Sequence, residues 1–161
     1  MEATPTEIAT AYHEAGHAVM AIALKTNVER VSIEANQLRL GQCKLKKSVH
    51  GPLKDAVETE VLILLGGVCA EARHTGEYAW DEASGDLRQV RVLLQSRPSG
   101  PRQINRYEQR LLDKVEHHFE QPGVWAAVEQ VAAELLRHTT MSGRAVRHLY
   151  EQAVAQAKKS S

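Results

Sequence analysis

Residues 4–22 read TPTEIATAYHEAGHAVMAI, and this stretch decides both the fold class and the chemistry. It opens as a helix. Thr4 can cap, Pro5 suits the first helical position, and Glu7 stands three residues after the cap, the spacing of a capping box. Ile8, Tyr12, Ala15, Val19 and Ile22 then recur at helical spacing as an apolar stripe. The pattern stops at Lys25-Thr26-Asn27.

Inside that helix lies His13-Glu14-Ala15-Gly16-His17. Chance alone would place His-Glu-x-x-His in roughly one chain in twenty-five of this composition, so the motif counts only with its context. The context is a capped, amphipathic helix. There, residues four apart share a face, and His13 and His17 can converge on one metal ion. Glu14 is one residue round from His13. It cannot take the same coordination position, but it can reach a water beside the metal, as a general base must. Catalytic zinc needs a third protein ligand. His50, Glu71, His74, Glu77, Asp81, Glu82 and Asp86 are the downstream candidates. Glu71 sits beside the apolar stripe of a second helix. Asp86 sits in the first turn of a third, where a carboxylate also suits the helix dipole. Periodicity alone leaves the choice open.

Working outward, VERVSIEANQLRLGQCKLKK alternates apolar and polar residues through Val31, Ile33 and Ala35, and again through Leu38 and Leu40. It predicts a strand pair with a turn at Asn36-Gln37 and a bulge or close backbone approach at Gly41. A second helix starts near Gly51-Pro52, carries Leu53, Val57, Val61, Leu64, Val68 and Ala72 on one face, and ends at Gly76. Gly66-Gly67 in its interior costs about 1 kcal/mol per glycine. That is tolerated where another backbone comes close, and Gly16 is the natural counterpart. GDLRQVRVLLQS predicts a third helix. After the linker SRPSGPRQ, three more are expected over 103–119, 122–138 and 142–158.

The chain has 161 residues, 43% of them hydrophobic, which suits one domain with a core of its own. Twenty basic side chains balance twenty acidic ones, so net charge favours neither nucleic acid nor an anionic membrane as partner. Cys43 and Cys69 read as two thiols in a reducing compartment. The N-terminus lacks the charge and apolar pattern of a signal peptide, and the longest apolar run, Val61 to Ala70, is short of the roughly 18 residues of a bilayer span. There is no P-loop. The expectation is a cytoplasmic protein without a membrane span.

HEAGHAV, the strand pair RVSIEANQLRLGQCKL, LLGGVCAEARHTGE and EASGDLRQV follow one another in an order and at spacings that resemble the protease domain of FtsH-type AAA metalloproteases. ELLRHTTMSGRAVRHLYEQA is similar to that family's closing helix pair. The resemblance covers most of the chain and is strongest over residues 11–94. It implies a mainly α fold with a small β-hairpin or sheet, a zincin-like His-Glu-x-x-His core and a C-terminal helical bundle. The whole would be a single metallopeptidase domain over 1–161, with a zinc-binding part at 1–96 and a helical part at 103–158. It further implies one zinc ion held by His13, His17 and Asp86, Glu14 as catalytic base, and Glu71 behind the ligands. Two departures stand out. Gly85 occupies the place of the family's Asn before the ligand Asp, and Glu34-Ala35-Asn36-Gln37 replaces its Pro-Arg-Gly hairpin.

The family's ATPase module and membrane anchors have no counterpart in these residues. The expected function is therefore an ATP-independent zinc endopeptidase acting on protein that is already extended or unfolded, or that a separate unfoldase or adaptor delivers. An extended peptide would add to the hairpin edge near Val31, Ile33, Leu40 and Gly41. Two other readings are an idle adaptor that keeps the fold and a zinc hydrolase of a non-peptide bond. An intact Glu14 argues against the adaptor, which has no use for a base there. A homo-oligomer is compatible with the helical C-terminal part.

Overall fold

The computed structural model describes residues 2–34, 42–45, 56–78, 84–96 and 100–160, with 42–45 and Ser84 described by backbone alone. Six helices dominate these residues: α1 (Pro5–Ala23), α2 (Ala56–Thr75), α3 (Ser84–Gln95), α4 (Pro101–Glu120), α5 (Val124–His138) and α6 (Gly143–Lys159). Three short strands, β1 (Val28–Ser32), β2 (Gln42–Leu45) and β3 (Thr140–Ser142), form an antiparallel sheet in the order β2-β1-β3. The architecture is mainly helical with a small sheet, and no helix among the described residues is long and apolar enough to cross a membrane.

The start of α1 follows its sequence. The Thr4 hydroxyl accepts from the Glu7 N–H at 3.1 Å, and Glu7 returns the bond to the Thr4 N–H at 2.8 Å. Its burial does not follow the one-sided stripe. From Glu14 to Ala21 every residue is buried, because α2, α5, α6 and β1 all pack around it. The same holds for α2, which is buried almost all round from Val61 to Ala70 between α1, α3 and α4. A helix in the centre of a domain has no solvent face to keep polar.

These two central helices cross where both lack side chains. A methyl group at Gly16 would lie 2.3 Å from the Gly66 carbonyl oxygen and 2.5 Å from Ala70 Cβ. One at Gly66 would lie 2.9 Å from both the Gly16 carbonyl oxygen and Met20 Cβ. This is the close approach expected from the sequence. Gly16→Ala should therefore destabilise the fold by about 1–3 kcal/mol or more through overpacking, read as a fall in urea midpoint.

β1 lies in the middle of the sheet. Val28 and Val31 point into the core at 6% and 0% exposure. β2 pairs with it in the register Val31↔Cys43 and Ser32↔Gln42, with an irregularity between Val28 and Arg30. The turn at Asn36-Gln37 and the bulge expected at Gly41 lie outside the described residues. β3 is a strand that the sequence reading treats as a connector between helices. Thr139, at φ 63°, ends α5; three residues then pair with β1, and the Ser142 hydroxyl caps α6 through the Ala145 N–H at 3.1 Å. Three residues are too few to show a period of two. Through β3, and through α5 packed on α1, residues from both ends of the chain share one sheet and one core.

α2 ends as anticipated, with Gly76 at φ 94° and its N–H on the Ala72 carbonyl. α4 begins two residues before the expected 103, because Pro101 takes its first turn behind Gly100.

Candidate metal centre

Three helices bring the site together. α1 carries His13, Glu14 and His17 on consecutive turns, with Glu14 6% and His17 7% exposed. The two rings stand edge to face, their centroids 4.6 Å apart. One donor atom each from His13, Glu14 and His17 lie within 4.8 Å of one another. α3 presents Asp86 from its first turn. Asp86 Oδ2 is 2.6 Å from His13 Nε2 and 3.0 Å from His17 Nε2. α2 stands behind the rings. Its Glu71 carboxylate is 3.1 Å from His13 Nδ1, and its Ile63 carbonyl accepts from His17 Nδ1 at 2.8 Å.

Both imidazoles are thus held by Nδ1 from behind and turn Nε2 to a common point, where a carboxylate oxygen meets them. Outer partners of this kind fix the ring orientation and tautomer of metal-ligating histidines. The donor set, two imidazole nitrogens and one carboxylate, is the set of a catalytic zinc site. Four-coordinate zinc holds neighbouring donors about 3.3 Å apart, so Asp86 Oδ2, at 2.6 and 3.0 Å from the two Nε2 atoms, needs to move away from each by less than about 1 Å to admit the ion. The residues fit the metal.

The electrostatics follow from this closeness. Burial disfavours a charged His13, but its hydrogen bonds to Asp86 and Glu71 outweigh burial and raise its pKa from 6.5 to about 10. Burial likewise opposes ionised Asp86, but the two imidazoles hold it well below the usual carboxylate range. For the chain stripped of metal, the signs are opposite. The contribution of Asp86 is present above the ordinary carboxylate pKa of about 4 and is lost as pH falls below that value. The contribution of His13 is complete below about 6.5 and is lost as pH rises through about 10. Thermal melts of the stripped chain should peak between about pH 4 and 6.5. Zinc, which needs neutral imidazole, should bind more tightly as pH rises through neutrality.

The remaining third-ligand candidates separate cleanly. His74 stacks on Tyr12, ring centroids 4.0 Å apart, and Glu77 lines a cavity of about 250 Å³ on the α4 side of α2. His50, Asp81 and Glu82 lie outside the described residues, as does Trp80. Glu71 meets His13 at Nδ1, on the side of the ring away from Asp86. Cys69 is a buried free thiol whose pKa burial pushes up to about 12; it keeps company with Tyr78, whose hydroxyl donates to Glu116. His117 and His138 lie on exposed faces, where they approach Gln121 and Glu134.

The expected peptide edge needs correction at Val31. That residue is fully buried, and β1 has a neighbour on each side, so no peptide can pair with it. Ile33 is partly buried against the core, and its N–H is committed to the Thr139 carbonyl at 2.9 Å. Leu40 and Gly41 lie outside the described residues. Among the described residues, β2 and β3 are the sheet's edge strands. The Ile63 carbonyl is the contributor that sequence reading misses, since a main-chain acceptor has no residue signature.

No protein-family model and no curated protein matches the chain in sequence.

Proposed function

We propose that the chain is a zinc-dependent endopeptidase that hydrolyses extended or unfolded protein segments without ATP, built on a zincin-like core and related to the FtsH-type proteases. The observation that carries this reading is the meeting of His13 Nε2, His17 Nε2 and Asp86 Oδ2 beside the Glu14 carboxylate. The ordered resemblance of HEAGHAV, LLGGVCAEARHTGE and EASGDLRQV to that protease domain supports peptide as the substrate class.

Zinc held there would keep a position for water, lower that water's pKa towards about 7 and polarise a carbonyl. Glu14 takes the proton as the water oxygen attacks the peptide carbonyl carbon. It then returns the proton to the departing amide nitrogen, and the C–N bond breaks to leave a carboxyl and an amine. Glu71 and the Ile63 carbonyl keep the imidazoles aimed throughout, and the Asp86 carboxylate offsets positive charge. A base only 6% exposed is out of reach of a folded surface, which favours an extended segment as substrate. The outer edge of β2 is the candidate guide for such a strand.

The test is cleavage of an unfolded protein by the purified chain, with and without chelator. Cleavage that stops with chelator and returns with zinc is the expected result. Zinc uptake without any cleavage would move the adaptor reading forward, and hydrolysis confined to non-peptide esters or amides would favour the third.

A further inference from the structure

We propose that Gly67 is a positioning residue for His17: having no side chain, it opens α2 so that the imidazole can lie against the helix backbone and bond the Ile63 carbonyl. The inference deepens the zinc reading and rests on it for the part that concerns the metal.

In a helix, the carbonyl of one residue receives the N–H of the residue four further on, and the side chain of that later residue lies beside it. For Ile63, that residue is Gly67. A methyl group at Gly67 would lie 2.4 Å from His17 Cε1, 2.5 Å from Nε2 and 2.8 Å from Nδ1. All three are closer than carbon and ring atoms approach, so the ring could not remain where it is. Nor has it room to retreat, since His17 is only 7% exposed. Its present place is what allows Nδ1 to donate to the Ile63 carbonyl at 2.8 Å. A carbonyl can only accept, so this bond requires a proton on Nδ1 and makes Nε2 the nitrogen turned to Asp86 and the site.

The adjacent glycine does different work. The atoms that crowd a side chain at Gly66 belong to Gly16 and Met20, which are packing partners and not ligands. Gly66 therefore lets α1 and α2 approach, whereas Gly67 seats one imidazole.

The experiment compares wild type, Gly67→Ala, His17→Ala and the double variant in two measurements: zinc affinity by chelator competition, and the melting temperature of the metal-free chain. Gly67→Ala should weaken zinc binding about 10–100-fold, the cost of losing an outer partner of a ligand, and should lower the melting temperature. In the His17→Ala background the same substitution should raise it, because no ring is left to displace and alanine suits a helix better than glycine. Wild-type zinc affinity in Gly67→Ala, or an equal loss of melting temperature with and without the His17 ring, would overturn the proposal. If Gly67→Ala alone fails to fold, recovery of folding in the double variant supports the same conclusion, and failure of both refutes it. Should wild type bind no zinc, the metal reading falls separately, and the melting-temperature comparison alone decides whether Gly67 seats the ring.

Discussion

Glu14→Gln is expected to keep zinc and lose peptide cleavage by about 10²–10⁴-fold, the usual worth of a positioned general base. The substitution is nearly isosteric in a buried position, 6% exposed, and so leaves the packing of α1 intact. Glutamine cannot accept the proton from the attacking water. The two readouts separate the role of Glu14 from that of the ligands: zinc content near wild type, cleavage rate close to background. Cleavage at the wild-type rate would remove Glu14 from the mechanism and leave the proton transfer to another group.

The second large effect concerns Asp86. Asp86→Ala should weaken zinc binding by more than the 10–100-fold that removal of an outer partner costs, because it removes a ligand and leaves two imidazoles. Asp86 Oδ2 is also the group that both Nε2 atoms meet, so its loss deprives the partly buried His13 of one of the three carboxylates that raise its pKa, the others being Glu71 and Glu14. A chelator-competition titration measures the first effect. NMR titration of His13 in the metal-free chain measures the second and should show a pKa below about 10. Unchanged zinc affinity would remove Asp86 from the ligand set.

Much of this was legible in the sequence because it depended on local rules. The Thr4–Glu7 box, the convergence of His13 and His17 and the end of α2 at Gly76 each follow from spacing within one element. The pairing of Gly16 with Gly66 was legible too, as two glycines inside helices that needed a reason. What escaped depended on the packing of several elements. The full burial of α1 from Glu14 to Ala21 reflects neighbours on every side, and periodicity in one helix cannot report that. β3 exists because β1 offers it an edge, not because Thr140–Ser142 has a strand pattern. The same cause misplaced Val31: alternation marked it as a strand residue but could not say that its strand would be central. For Asp86 the choice between a ligand and a dipole carboxylate depends on where α3 lies against α1, which periodicity does not report; the structure brings its Oδ2 beside both Nε2 atoms. Gly67 is legible, together with Gly66, only as a costly residue tolerated where another backbone comes close; the ring that needs the space comes from another helix.

The identity of the atoms that bind zinc tests the proposed function most directly. X-ray absorption at the zinc edge of the wild-type chain, loaded with one equivalent, measures them. Two imidazole nitrogens with oxygen ligands at about 2.0–2.2 Å, and no sulfur, is the predicted result. A zinc–sulfur distance of about 2.3 Å, or a chain that takes up no zinc at all, would contradict it.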